Sequence, residues 1–157
     1  EGIEKVDKKE QYTAFQNIEY NGFFNIDKPF IIKSEKAYIL NEEPDIIYMN
    51  KMHVILNLGD NKIVNITSDN GIYNKITYDC FFENNVNASD ESTHIKAENL
   101  DLISSSNAAE VYNNVFLNNE AGSLAADKIN YNFETKKFAI SMFSEKLVKV
   151  KLAEWII

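Results

Sequence analysis

The sequence predicts an all-β protein in which repeated pairs of long strands form two facing antiparallel sheets. Three observations support this prediction. Apolar and polar residues alternate with a period of two along most of the chain. Turn residues interrupt the alternation about every 10–15 residues, and no segment shows a convincing helical periodicity. A set of landmark residues also recurs at intervals of about 30 residues, which indicates a repeat architecture.

Two landmarks define the repeat. The first is a small residue followed by an acid, and its four copies are Ser34-Glu35, Ser68-Asp69, Ala97-Glu98 and Ala126-Asp127. The second is an apolar residue that follows a polar run at a constant distance from the first three acids, and its copies are Met52, Val86 and Val115. The fourth copy lacks this second landmark. We interpret the small-acid pair as a strand-end motif rather than as paired catalytic carboxylates.

The central unit, Ile66–Val86, is predicted to be two strands joined by a turn at Asn74-Lys75. Tyr78 is expected on the same face as the residues that follow it in the second strand. Gly71 interrupts the alternation, which indicates a β-bulge or a close approach of two backbones. The inner face of the unit is predicted to consist of Ile66, Ser68, Tyr73, Cys80, Phe82 and Val86, with equivalent residues in the other copies.

Turn signals divide the chain into ten predicted strands. In chain order these are Phe15–Phe24, Phe30–Leu40, Ile46–Leu58, Ile63–Tyr73, Ile76–Ala88, Thr93–Ile103, Ala109–Asn118, Ser123–Phe133, Lys137–Phe143 and Leu147–Ile157. Asn21-Gly22 is a good turn pair, so the first of them could also be two short strands. We expect residues 1–11 to be a flexible lead after a missing N-terminal segment, and residues 12–157 to form a single domain.

Regularly spaced strands are compatible with a sandwich, a jelly roll or a β-solenoid. Strands of about ten residues span roughly 33 Å, which is too long for the short faces of a three-sided β-helix. Two facing sheets of long antiparallel strands therefore fit better. Such sheets could pack shut or could leave a groove between them, and the residue pattern alone leaves both possibilities open.

The composition excludes some classes of function. The chain is 45% hydrophobic, which is enough for a sizeable core, and its formal net charge is −8. A nucleic-acid-binding surface would be basic, so this charge argues against one. All 16 basic residues are lysine, so a phosphate site in this protein would use point charges instead of the bidentate guanidinium group.

No motif in the sequence supports catalysis. Cys80 is the only cysteine, and its position in a strand predicts a buried, inert thiol. His53 and His94 lie in different repeat units and lack the spacing of zinc ligands. Hydrolase and nucleotide-binding motifs are not found. We therefore predict that the protein is not an enzyme and that it uses no metal and no cofactor.

Three segments resemble the LptC family of lipopolysaccharide export proteins, and the resemblance extends over about residues 12–150. Tyr20–Ala37 is similar to the opening of the family, with an aromatic-x-Gly element, a polar turn, Pro-aromatic and then alternating residues. Ile66–Tyr73 resembles its apolar-x-small-x-x-Gly-x-Tyr repeat, and Phe82–Val86 resembles its second strand. Lys28 and Asn84 stand where the family usually has glycine.

The resemblance implies a twisted, open β-jelly roll of two facing antiparallel sheets. It implies a periplasmic domain, anchored to the inner membrane by an N-terminal helix outside this chain, that carries lipopolysaccharide without chemical reaction. The lipid would pass from an inner-membrane ABC transporter at the N-terminal edge to an LptA-like carrier at the C-terminal edge. An LptA-like soluble carrier and a closed-core periplasmic binding or adhesion module are the alternatives, and a glycan-binding lectin or enzyme is a third.

The resemblance also implies site residues. The interior face that would bind the acyl chains of the lipid consists of Ile66, Ser68, Tyr73, Cys80, Phe82, Val86, Ile95, Val111, Val115, Leu117 and Ile140. The edges that would meet partner proteins consist of Phe15, Ile18 and Tyr20 at the N-terminal side and Val148, Val150 and Leu152 at the C-terminal side. Unpaired backbone at a sheet edge is a template for pairing with another chain.

Overall fold

A computed structural model describes residues 11–142 and 149–152 of the chain. These residues form ten β-strands and contain no helix, so none long and apolar enough to cross a membrane. The strands are β1 (Tyr12–Asn25), β2 (Lys28–Leu40), β3 (Ile46–Asn57), β4 (Ile63–Asn74), β5 (Cys80–Ser89), β6 (Thr93–Ile103), β7 (Ala108–Asn119), β8 (Gly122–Asn132), β9 (Lys137–Ser141) and β10 (Lys149–Leu152). The all-β prediction is confirmed.

All ten strands belong to one open antiparallel sheet. Consecutive strands from β1 to β8 are neighbours, and β9 and β10 both pair with β8. β10 pairs with residues 122–125 and β9 pairs with residues 128–132, so they extend different halves of the same strand. Because every strand from β1 to β8 pairs with the next in sequence, simple hairpins build the whole sheet.

Two local predictions were wrong. The turn after β4 is wider than Asn74-Lys75, because Asn74 accepts hydrogen bonds through Oδ1 from the backbone N–H groups of Ile76 and Thr77, and β5 begins only at Cys80. Tyr78 therefore lies in this turn with a left-handed φ of 69°, outside the strand in which it was expected. The first strand, by contrast, runs unbroken through Asn21-Gly22.

The inward face changes its alternation once in each strand from β2 to β8. In β3, Met49 and Met52 are both buried, so two residues instead of one separate them. In β5 and β7, three residues separate the buried pair, and the register shifts at the same points. One extra residue in a strand is the signature of a β-bulge, which bends the strand and increases its twist. These seven interruptions line up across the sheet and form a crease.

Left-handed residues and the small-acid pairs occupy this crease. Asn17 and Lys51 have left-handed φ angles, and so do the pairs Asn84-Asn85 and Asn113-Asn114. On the even-numbered strands, the acid of each small-acid pair lies between the two buried residues. The small-acid pair is therefore a mid-strand crease motif, and its interpretation as a strand end was wrong.

Serine hydroxyl groups satisfy backbone carbonyls inside the crease. Ser34 Oγ lies 2.7 Å from the carbonyl oxygen of Lys36 and 2.8 Å from that of Asn50, and it can donate to either. Ser68 Oγ donates to the carbonyl oxygen of Asn70 at 2.7 Å. Both serines are buried, and these bonds offset the cost of removing their hydroxyl groups from water.

The crease divides the sheet into two halves, which we call limb A and limb B. Limb A consists of residues 18–34, 52–68, 86–97, 115–126 and 149–152, and limb B consists of residues 12–16, 36–50, 70–83, 99–112 and 128–141. Tyr20 of limb A contacts Tyr73 of limb B with ring centroids 5.4 Å apart. The sheet is thus folded on itself, and the two facing layers of the predicted jelly roll are two halves of one sheet.

The core fills the space between the limbs on the side of the crease. Its largest fully buried side chains come from six strands, and they are Phe24, Ile32, Met52, Val54, Leu56, Cys80, Phe82, Val86, Leu100, Leu102 and Ile129. Gly71 packs against this core, where an added Cβ would lie 2.1 Å from Met52 Sδ and 3.0 Å from the Phe81 carbonyl oxygen. The close approach expected at Gly71 is therefore present.

Candidate lipid-binding cavity

A cavity of about 380 Å³ lies between the free ends of the two limbs, toward the C-terminal side of the sheet. Limb A and its hairpin turns contribute Leu56, Leu58, Lys62, Val64, Ile66, Ala88, Ser89, Asp90, Ser92, Thr93 and Ile95, and limb B contributes Leu100, Leu102, Ala109, Tyr131, Phe133, Lys136 and Phe138. The buried floor is aliphatic, whereas Phe138 at the rim is 54% exposed. An apolar cavity with few polar groups at its rim is the usual form of a small-molecule site.

The charged residues of the lining come from hairpin turns. Lys62 lies in the turn between β3 and β4, and Asp90 lies in the turn between β5 and β6. Their charged groups are 3.9 Å apart, which is the limit of an ion pair. Lys136 lies across the cavity, in the turn between β8 and β9. Two lysines and one aspartate therefore surround an otherwise apolar opening.

A clasp closes the slit between the limbs on the N-terminal side. The end of β1 reaches across from limb A, where Asn25 Nδ2 donates to Asn107 Oδ1 at 2.7 Å. Ser104 Oγ donates a short hydrogen bond to the carbonyl oxygen of Phe24. The Phe24 ring packs edge-on against Phe133 with centroids 5.4 Å apart. These contacts seal the slit beside the cavity, so the cavity is the open part of the interior.

Burial shifts the pKa of several groups at and below the cavity. Burial raises the pKa of Tyr131 above its ordinary value, and the negative charge of Asp90 adds to the shift. Burial also raises the pKa of Tyr73 and of the Cys80 thiol. Each of these groups is therefore neutral at physiological pH, and the neutral thiol is a poor nucleophile. The floor of the cavity carries no ionised tyrosine or cysteine.

The sequence-predicted interior residues divide into two groups. Ile66 and Ile95 line the cavity. Ser68, Tyr73, Cys80, Phe82, Val86, Val111, Val115 and Leu117 are buried in or beside the packed core. Ile140 lies in β9 opposite Ile129 and is 40% exposed. The prediction thus identified the inward face of the sheet, and only part of this face borders open space.

The predicted N-terminal edge residues lie in β1, which is the first strand of the sheet. Phe15 and Tyr20 are 39% and 37% exposed, and Ile18 is half-buried against the core. At the other end of the sheet, Val150 and Leu152 belong to β10, which borders β8. Val148 lies outside the described residues.

Several lining residues were not predicted from the sequence. Leu58, Lys62, Phe133 and Lys136 lie in or beside hairpin turns, where the alternating pattern that guided the prediction ends. Phe138 lies in a predicted strand, but no landmark of the repeat marks it. Hairpin position was the available signal, because alternate turns of a creased antiparallel sheet lie at the free end of the same limb.

The histidines lie apart from the cavity, each beside an asparagine on a neighbouring strand. His53 Nε2 is 2.8 Å from Asn65 Oδ1, and His94 Nε2 is 3.1 Å from Asn87 Oδ1. Within residues 11–142, no group of three or more His, Cys, Asp or Glu side chains could hold a metal ion.

Comparisons with known proteins agree with this geometry. The model of a family described as "Lipopolysaccharide-assembly, LptC-related" matches residues 3–142. Among solved structures, the fold is similar to that of LptH from Pseudomonas aeruginosa, described as the LptA-homologous periplasmic component of the lipopolysaccharide transport device. The TM-score is 0.55 at 7% sequence identity, and the alignment covers 93% of this chain and 97% of LptH. No curated protein sequence matches the chain.

Proposed function

The chain belongs to the LptC-related family of lipopolysaccharide-assembly proteins, and from this membership we propose that it holds the acyl chains of lipopolysaccharide between its limbs and passes the lipid on chemically unchanged. The cavity between the limbs carries the proposal. It is apolar, it is bordered by half-exposed rings such as Phe138, and it opens toward solvent between hairpin turns. A carrier needs such an opening, because its ligand must enter and leave sideways.

Burial of the acyl chain supplies the driving force for binding. Each buried CH₂ contributes about 0.8 kcal/mol, so a chain of about twelve carbons contributes roughly 10 kcal/mol before ordering costs. The net charge of −8 opposes an anionic head group. Screening limits that repulsion to about 8 Å at physiological ionic strength, so the apolar contribution is larger. The head group would remain at the solvent edge, beside the turns of the rim.

The direction of transfer follows from family membership and from the two edges of the sheet. We assign the N-terminal edge strand β1 to the inner-membrane ABC transporter, and the C-terminal edge, which includes β10, to an LptA-like carrier. In this proposal the domain is periplasmic, an N-terminal helix outside the chain anchors it to the inner membrane, and ATP hydrolysis by the transporter supplies the energy. An LptA-like soluble carrier would share the lipid site but lack the anchor.

A closed-core binding module is the remaining alternative from the sequence. The 380 Å³ cavity favours a carrier over such a module, because a module that binds through its outer surface needs no apolar space between its limbs. An enzyme would require reactive groups at this cavity. Its lining offers one carboxylate, Asp90, and two lysines among aliphatic and aromatic side chains.

Site-specific photo-crosslinking tests the proposal. We expect a photoreactive phenylalanine analogue at Phe138 to capture lipopolysaccharide, because this ring lines the cavity. The same analogue at Phe116 is a matched control. Phe116 is 44% exposed, close to the 54% of Phe138, but it lies on the outer face of β7 between the inward residues Val115 and Leu117. Equal capture at the two positions would refute binding between the limbs.

A further inference from the structure

We propose that the rim of the cavity binds the acidic group of an amphiphile, with Lys62 and Lys136 holding a phosphate or carboxylate from opposite limbs while one acyl chain enters the cavity. This inference rests on the proposed function and adds a specificity to it. An uncharged amphiphile with the same tail would bind more weakly, because it would leave both lysines without an anion.

The size of the cavity sets the apolar part of the ligand. Its volume of about 380 Å³ is near the lower end of the range of roughly 300–1,000 Å³ that is typical of small-molecule sites. The clasp at Phe24 and Phe133 ends the cavity on the N-terminal side. A single acyl chain therefore fits, whereas several chains side by side would require the limbs to separate.

Lys62 is available for a ligand because its bond to Asp90 is weak. The two charged groups are 3.9 Å apart, and the Lys62 side chain is 52% exposed. Asp90 does not depend on Lys62, since its Oδ1 accepts hydrogen bonds from the backbone N–H groups of Ser92 and Thr93, each at 2.9 Å. An incoming anion can therefore take Lys62 without leaving the Asp90 carboxylate unsatisfied.

A structured turn positions Lys136 at the opposite side of the rim. Its backbone N–H donates to the carbonyl oxygen of Asn132 at 2.7 Å, and its φ is 62°. Asn132 Oδ1 accepts two further hydrogen bonds from this turn, from the N–H groups of Glu134 and Thr135. Among the described residues, Lys136 forms no ion pair. Its charge is thus unneutralised and faces the same opening as Lys62.

The charge of the rim differs in sign from that of the whole chain. The lining contains two lysines and one aspartate, whereas the chain carries a net charge of −8. An anion that approaches this protein therefore meets its most favourable local environment between Lys62 and Lys136. Lysine binds phosphate or carboxylate as a point charge, so the two ammonium groups do not require a fixed orientation of the head group.

Calorimetric titration with decyl phosphate and 1-decanol, both below the concentrations at which they aggregate, tests the inference. We expect the wild-type protein to bind decyl phosphate more tightly than 1-decanol. Lys62→Gln and Lys136→Gln should each weaken decyl phosphate binding by about two- to fivefold, the range expected for a partly exposed charge pair. The double variant should lose more, and 1-decanol binding should stay unchanged in all variants.

Lys137→Gln is the matched control, because Lys137 is exposed and adjacent in sequence but does not line the cavity. Unchanged decyl phosphate affinity in the double variant would overturn the inference and leave the proposed function standing. So would equal losses for both ligands, or displacement of decyl phosphate by inorganic phosphate at a similar concentration, which would indicate a site for free anions. If neither amphiphile binds the wild type, the proposed function fails as well.

Discussion

Asparagine explains how single residues bend this sheet. Of the non-glycine residues with left-handed φ, seven are asparagine, and five of these lie in the crease at Asn17, Asn84, Asn85, Asn113 and Asn114. Asparagine tolerates this conformation better than most residues because its short polar side chain can bond locally. Asn84 stands where the family usually has glycine, and its φ of 71° gives the physical reason for that exchange.

Gly71 gives a prediction at the scale of one residue. Its φ is not left-handed, so the cost of Gly71→Ala is steric: the new Cβ would lie 2.1 Å from Met52 Sδ and 3.0 Å from the Phe81 carbonyl oxygen. We expect a loss of about 1–3 kcal/mol in the free energy of unfolding, measured by urea denaturation. Gly22→Ala should cost less, because its Cβ would meet only the Phe30 ring, at 3.1 Å.

A second substitution separates crowding from other causes. Met52→Ala alone should destabilise the protein by about 2–5 kcal/mol, because it leaves a cavity in the core. In the double variant, the cost should be smaller than the sum of the two single costs, since each change relieves the strain of the other. Additive costs would mean that Gly71 does not need its space for Met52.

At the scale of elements, the strands could be predicted from the sequence and the crease could not. Period-two alternation is a local property, so the predicted bounds of most strands lie within a few residues of those observed. The interruption of this pattern at Asp69-Asn70-Gly71 was visible as well, and it predicted a bulge. That every strand bends at the same level depends on the register between strands, which the pattern of one strand does not contain.

The clasp gives a prediction at the scale of two hairpins. Ser104→Ala removes the hydroxyl group that donates to the Phe24 carbonyl oxygen, while it leaves the sequence of β1 and β2 intact. One hydrogen bond contributes about 0.5–1.5 kcal/mol, so the turn between β1 and β2 should open more often. We expect amide hydrogen exchange over residues 24–28 to accelerate by about two- to tenfold.

Ser105→Ala provides the control for the clasp, because Ser105 is exposed in the same turn between β6 and β7. Exchange over residues 24–28 should be unchanged in this variant. If Ser104→Ala also leaves the exchange rate unchanged, then Asn25–Asn107 and Phe24–Phe133 hold the clasp without the serine, and the assigned role of Ser104 is wrong.

At the scale of the whole molecule, one sheet serves both as core and as ligand site. Its N-terminal part is closed by the clasp, whereas the limbs separate toward β8, whose two halves pair with different strands. The inward face of this arrangement was predicted from the sequence, including Ile66 and Ile95 of the cavity. Which part of the face remains open could not be predicted, because it depends on contacts between turns as distant in sequence as Asn25 and Asn107.

The difference between the closed and open parts leads to the last prediction. β9 is exposed along its whole length, and Phe138 covers only part of the cavity. An acyl chain in the cavity would pack against this ring and hold β9 to the rest of limb B. We therefore expect decyl phosphate to slow amide exchange in residues 137–141, by up to roughly 100-fold at a ligand concentration of about 100 Kd, if opening of β9 requires release of the ligand.

Residues 24–28 serve as the internal reference, because the clasp closes that part of the slit with or without ligand. Their exchange should change little when decyl phosphate is added, and inorganic phosphate should slow exchange in neither segment. Slower exchange in residues 24–28 with none in β9 would mean that the ligand enters beneath the clasp. In that case the acyl chain would replace packed core side chains such as Phe24, instead of filling the cavity that borders Phe138.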